Sequence, residues 1–472
     1  MTQAEAAQSG SLRVLPHAAA DPAETRTLVR TLLWLSIPVF AENVLHMMVG
    51  INDVYLASHL PDRSADATAA IGVVTYVIWL LGLLAGAIGA GSTAIIARAV
   101  GAKHQRLANS VCGQSVTAAV LGGVLVTLIS AMLAVPLARA TGFKGDNGAF
   151  GFAVYYLRVL GLGVPPMMLM LVANACLRGA GDSLTPAVAM IVVDVVNVVC
   201  SFALTRGWWG LPVMGFRGIA VGTVIAYVAG GLIQFGVLVS GRGKIRLFLH
   251  RLRPHWLTLK RVLRIGLPNG AEGLITWVAQ YSILSVIVRI DHANVLASAH
   301  IITIRIESLS FMTGLAVATA AATVVGQSLG MKNPRRATRA AHLAFLLGCG
   351  AMTLGGILFI LFRHSLAHAL AGNEEVAALA AKCLLITAFS QPAFAASLIY
   401  SGALRGAGDT FVVMIINIAS VAALRLVAVL ILTLGFHQGL QAVWIVLACE
   451  LTLRGIFMAA RFRHGGWRHI TV

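Results

Sequence analysis

Twelve apolar stretches, each long enough to cross a bilayer, leave this chain almost no freedom of fold class. They fall at 31–57, 67–97, 109–136, 148–176, 186–206, 217–240, 266–290, 295–326, 340–362, 376–402, 411–434 and 438–460. A transmembrane helix needs about 20 such residues, and in lipid the backbone must bond to itself, so these runs are predicted to be helices. Only 11% of residues are charged and 58% are hydrophobic, with a mean hydropathy of +0.86, against about 25% charged in a soluble domain. The expected fold is an all-α polytopic membrane protein.

A formal net charge of +18 can signal nucleic-acid binding, but the basic residues here sit in short clusters between apolar runs. With the N-terminus inside, the tail, the even-numbered connections and the C-terminus carry 24 of the 35 Lys and Arg residues, and the opposite loops carry seven. Both termini are therefore expected to be cytoplasmic, with the lipid bilayer and not nucleic acid as the chain's surroundings. The expected organisation is a disordered cytoplasmic tail over 1–30, a first lobe over 31–240, a basic linker over 241–265, a second lobe over 266–460 and a basic tail over 461–472. The six cysteines are scattered singly within apolar runs, without the spacing of a disulfide framework or a metal site.

The linker divides two copies of one pattern. "LRGAGD" occurs at 177–182 and at 404–409, Pro165 and Pro392 each precede its leucine by twelve residues, "IPVFAE" (37–42) matches "LPNGAE" (267–272), and "GAKHQRLA" (101–108) matches "GMKNPRRA" (330–337). Four landmarks in the same order at near-constant offset mean internal duplication. Each landmark is six spans from its copy, an even number, so the repeat is parallel, about an axis along the membrane normal. "LRGAGD" itself reads as a tight link between spans: glycines for the reversal, Asp182 or Asp409 to cap the next helix. A phosphate-binding loop is excluded, since no Lys-Ser/Thr follows and no βα unit exists here.

"LRGAGDSLTP", "RIESLSFMTGLAVATAAATVVGQSLGMKNPRRA" and "AIGVVTYVIWLLGLLAGAIGAGSTAIIARAVGAKHQ" resemble the multidrug and toxic compound extrusion (MATE) family, and the likeness runs from about residue 30 to 460. The resemblance implies two six-helix lobes around a central cleft. It also implies export of amphipathic organic cations in exchange for protons or sodium ions, by alternating access in the inner membrane. No cofactor is expected, and the protein is expected to be a monomer.

The chemistry must lie in acids within the spans, since an unpaired charge at mid-bilayer costs about 2.5–3.5 kcal/mol or more. Glu42, Asp53, Asp194, Glu272, Glu307 and Glu450 qualify. Glu450 has Arg454 at i+4 and Arg425 in span 11 as structural partners, whereas Glu307 stands equally between packing and a pathway role as a second-lobe acid. Glu42 shares a helix face with His46. Asp53 matches the family's first-span aspartate and is the leading cation-coupling residue. In span 5, Asp194, Asn197 and Ser201 lie at i, i+3 and i+7 on one face, a departure from the Asn-then-Asp order of many relatives. Asp53 and Asp194, on neighbouring spans, are expected to share a proton, which favours protons over sodium. In span 7, Pro268 and then Glu272 resemble a family motif, and Glu272, Gln280, Trp277 and Tyr281 are candidate substrate-binding residues, the aromatics as faces for a cation.

Two other functions are weighed against this one. A flippase for lipid-linked sugars needs fixed positive charge for pyrophosphate, yet the buried acids outnumber the buried bases. A membrane-embedded enzyme needs a catalytic cluster, and His46, His300 and His342 lie in different spans without metal-ligand spacing.

Overall fold

The computed structural model describes residues 22–140, 148–241, 243–290 and 295–470. Twelve helices run through them: α1 (Pro22–Ser58), α2 (Ser64–Gly101), α3 (Gln105–Ala140), α4 (Gly148–Ala180), α5 (Leu184–Arg206), α6 (Phe216–Ser240), α7 (Trp256–Ile290), α8 (Val295–Gly330), α9 (Pro334–Leu370), α10 (Glu374–Gly406), α11 (Thr410–Gly435) and α12 (Leu440–His464). All twelve are long and apolar enough to span a membrane, and the described residues contain no strand. In α11 the ladder widens to π-type turns over Ala419–Leu426 and Ile431–Gly435.

Helix packing repeats with a period of six. α4 packs on α2, α3 and α6, as α10 packs on α8, α9 and α12, and α1 meets α5 as α7 meets α11. Across the seam, α1 pairs with α8 and α2 with α7, while α2 also meets α8. The result is two six-helix lobes related by a parallel repeat around a central cleft.

Helices α1 and α7 each belong to both lobes. Leu28, Leu32 and Leu35, at the start of α1, are buried among Val317, Val324, Ala344 and Ile399 of the second lobe, whereas Val49 and Leu56 join the core of the first. Val262 and Ile265 of α7 pack in the first lobe's core, and Ile283 and Ile287 in the second's. Pro38 and Pro268 mark the two crossovers. This packing corrects the expected tail: residues 22–30 are helical, because Leu28 is fully buried and Glu24 pairs with Arg339 of α9 at 2.5 Å. Residues 1–21 of that expected tail lie outside the described residues.

The lobes meet closely at one end. There Gly101 lies against the Gln327 backbone and Gly330 against that of Arg98, approaches that no Cβ could occupy, as small residues permit between membrane helices. Thr323 Oγ1 donates to Arg178 O at 3.0 Å, and Gln327 Nε2 to Gly179 O at 3.3 Å. Arg98 Nη1 donates to Ile470 O at 2.6 Å, tying α2 to the segment after α12, where Trp467 is fully buried and stacks on Phe462 with ring centroids 4.8 Å apart. Toward the other end, Tyr76, Trp79, Tyr281, Ile301 and Leu309 of the seam helices are exposed.

Both "LRGAGD" copies lie at the closed end and build the same helix stop. Gly181 N–H donates to Arg178 O and Asp182 N–H to Leu177 O. Gly408 and Asp409 do the same to Arg405 and Leu404, all at 2.9 Å. This is a Schellman turn, which needs a left-handed residue after the helix, supplied by Gly181 (φ 89°) and Gly408 (φ 86°). The aspartates then differ. Asp182 accepts from Thr185 N–H at 3.0 Å, capping α5 as expected, whereas Asp409 accepts from Arg461 Nε at 2.8 Å.

Candidate functional site

In the first lobe, four helices converge on one carboxylate. Asp53 of α1 is only 3% exposed. Tyr156 of α4 donates its hydroxyl to Asp53 Oδ2 at 2.5 Å, and Thr223 of α6 places Oγ1 3.0 Å from both carboxylate oxygens. Asn197 of α5 donates to Thr223 Oγ1 at 3.0 Å and accepts from Asn52 Nδ2 at 2.7 Å. An ionised carboxylate only accepts, so two hydroxyl donors satisfy it; once protonated it must itself donate, and one neighbouring hydroxyl must turn to accept. A proton arriving at Asp53 thus reorients a chain of hydrogen bonds linking α1, α4, α5 and α6.

The other span 5 residues stand outside this network. Ser201 is fully buried against Gly222 of α6, with its hydroxyl unpartnered. Asp194 is half-buried, and among the described residues it makes no hydrogen bond, its Oδ2 being buried without a partner. The expected Asp53–Asp194 hydrogen-bonded pair is therefore not formed. Three residues of helix turn about 300°, so Asp194 points about 60° away from Asn197.

Glu272 has a partner that its sequence does not show. Arg405 Nη2 lies 2.6 Å from Glu272 Oε1, so this carboxylate is held in an ion pair. Glu42, its repeat counterpart, is held by Arg178 Nη1 within 2.8 Å of both oxygens and by Asn174 Nδ2 at 2.8 Å. Each "LRGAGD" arginine thus reaches the first helix of its own lobe. The motif is a clamp as well as a turn.

Further polar residues of the second lobe form two groups. Arg425 is brought into a buried pair with Glu450 by the π-type turns of α11, Arg454 Nε approaches Glu450 Oε1 at 3.2 Å, and Ser420 donates to Oε1 at 2.5 Å. Gln280 accepts from Arg425 Nη1 at 3.3 Å, so that candidate belongs to this ion-pair group. Separately, Glu307 accepts from Thr387 at 2.5 Å, while Ser310 donates to Gln391 at 2.5 Å. Trp277 and Tyr281 stack with centroids 6.0 Å apart and planes 10° from parallel, and Tyr281 is 57% exposed. Of the residues around Asp53, sequence reasoning missed Tyr156, Thr223 and Asn52. Only Asn52 carried a signal, as a second polar residue beside Asp53 in an apolar span.

The family model described as MatE matches residues 38–203 and 268–431, one segment in each lobe. The chain belongs to the MatE family. It is accordingly a multi-pass membrane transporter and not an enzyme. Among curated relatives, it is 28% identical over 447 residues to "Probable multidrug resistance protein NorM" of Thermotoga maritima, covering 94% of each chain. Two solved structures share the MatE fold with TM-scores of 0.85. One, titled "Outward-facing conformation of a multidrug resistance MATE family transporter of the MOP superfamily", is 23% identical and covers 94% of this chain and 97% of its own. The other, titled "Reverse polarity of binding pocket suggests different function of a MOP superfamily transporter from Pyrococcus furiosus", is 22% identical and covers 96% and 100%.

Proposed function

We propose that this MatE transporter is a secondary active exporter of lipophilic organic cations, driven by protons that bind at Asp53. The observation that carries the reading is the buried carboxylate held by Tyr156 and Thr223, with, among the described residues, no arginine or lysine paired to it. Every other paired acid within the spans, among the described residues, has a basic partner or, like Glu307, a single hydroxyl. A group that can be charged or neutral inside the lobe is what a coupling site requires, since binding of one occupant must raise the cost of the other. Sodium is the weaker reading, because the oxygens of Thr223 and Asn197 are already engaged with neighbouring donors.

The end carrying the basic linker, both "LRGAGD" turns and the C-terminal segment faces the cytoplasm on the charge count. Closure at that end gives an outward-open cleft. Half-buried Asp194 and the stacked Trp277 and Tyr281 are the groups that would meet an organic cation there, one by charge and two by ring faces. A flippase is disfavoured, since the two arginines that reach the first helix of each lobe, Arg178 and Arg405, are committed to Glu42 and Glu272.

The test uses purified protein in liposomes loaded with ethidium. Efflux driven by a proton gradient and lost in Asp53→Asn is expected. Efflux that follows a sodium gradient with pH held equal would overturn the choice of ion, and full Asp53→Asn activity would remove the site.

A further inference from the structure

We propose that the closed end carries a binding site for an anionic phospholipid, in a cleft of about 410 Å³ between the start of α1, the first "LRGAGD" turn, the basic linker and α8. Arg30, Trp34, Gly181, Lys244 and Gln327 line it. Arg30 and Lys244 are exposed cations, and among the described residues neither forms an ion pair, although both reach one cleft. Lys244 Nζ and Gln327 Nε2 stand over Gly181, where the missing side chain leaves room between them. Three nitrogen groups are thus gathered around an opening whose lining, among the described residues, includes no carboxylate.

What selects a lipid over a free anion is the surface that continues from the cleft. A second groove shares Arg30 and Trp34 and runs along α1 past Val29, Leu33 and Ile37. Trp34 and Ile37 are each 64% exposed and Leu33 42%. An amphiphile with its phosphate between Arg30 and Lys244 lays an acyl chain along this face. The depth agrees, since at 1.5 Å per residue the 20 residues from Trp34 to Val54 span about 30 Å, the hydrocarbon thickness. Trp34 therefore sits at headgroup level, where tryptophan is favoured, and basic pockets between helices on the cytoplasmic side take acidic headgroups. Because the start of α1 packs with the second lobe while Gly181 belongs to the first, an occupant bridges the seam and holds this end shut.

The experiment is thermal unfolding of the full-length protein in detergent, titrated with phosphatidylglycerol, phosphatidylcholine or glycerol 1-phosphate. Phosphatidylglycerol is expected to raise the midpoint saturably by several degrees, as a ligand of the folded state must, with no comparable shift from the other two. The Arg30→Gln/Lys244→Gln double variant should lose the shift, and Arg335→Gln, an exposed basic residue outside the cleft, should keep it. An equal shift from phosphatidylcholine, or one retained in the double variant, overturns the site. An equal shift from glycerol 1-phosphate assigns it to a soluble anion and overturns the lipid.

Discussion

Arg178 Nη1 lies 2.8 Å from both carboxylate oxygens of Glu42. The same clamp recurs between Arg405 and Glu272, so the repeated hexapeptide holds the first helix of each lobe against the end of the fourth. Removing one partner of a buried pair strands the other charge at about 3–5 kcal/mol, and these pairs, only partly buried, approach that cost from below. Arg178→Gln and Glu42→Gln are therefore expected to lower the unfolding midpoint severely, with the double variant costing less than the sum. Glu272→Gln should act in the same way, through stability. Unchanged melting with reduced drug affinity for Glu272→Gln would restore it as a substrate residue.

The hydroxyls around Asp53 give a graded series. Tyr156→Phe and Thr223→Val each delete one donor to the carboxylate, a charge-assisted bond of about 1.5–3 kcal/mol. Gradient-driven efflux should fall roughly tenfold or more in each, while the protein still inserts. Asp194→Asn, outside the network, should weaken drug affinity more than the response to pH. Efflux and binding measured across pH separate the two classes.

Closure of the seam depends on backbone approach at Gly101 and Gly330. Gly330→Val should hold the lobes apart there, so a cysteine placed at Thr323 becomes reactive to a soluble maleimide that barely labels it in the parent. Transport should fall in parallel. Labelling that stays at the parent level would show that the ends close in some other way.

The C-terminal segment fastens the same end. Trp467→Ala empties a fully buried site, costing about 3–5 kcal/mol, and releases Ile470 from Arg98. Inward-facing accessibility should increase, read as faster cysteine labelling from the cytoplasmic side. An unaltered rate would make the segment a passive cover.

The charge asymmetry predicts topology. Labelling of intact cells from outside should modify cysteines placed in 60–66 and leave those in 248–256 unmodified.

Helix number and the repeat were legible because apolar length and recurring landmarks survive any detail of packing. Asp53 was legible for the same reason, as a carboxylate in an apolar run. Tyr156 and Thr223 were not: hydroxyls are ordinary in membrane helices, and only the relative rotation of α1, α4 and α6 reveals which of them point at the acid. Asp194 was misplaced for a related reason, since residues at i and i+3 share a broad face but differ by about 60°. The clamp was within reach, because Glu42 and Glu272 recur at an offset of 230 and Arg178 and Arg405 at 227. The same offset sets Ile283, fully buried, opposite Asp53. What the duplication kept on both sides is framework, and Asp53, which has no acidic copy and sits in a hydroxyl network, is the candidate for chemistry.

The crossing of α1 from one lobe to the other also sets a schedule for biosynthesis. Leu28 emerges from the ribosome 289 residues before Val317, the side chain it packs beside. At about 5–20 residues per second this gap lasts roughly 15–60 s. The newborn first lobe must wait in the bilayer that long, with a stripe of leucine uncovered and the first strut of its seam unmated. Although the two lobes are copies, neither is finished until the second is made, so severing the coding sequence at the linker would yield fragments that mature only when synthesised together.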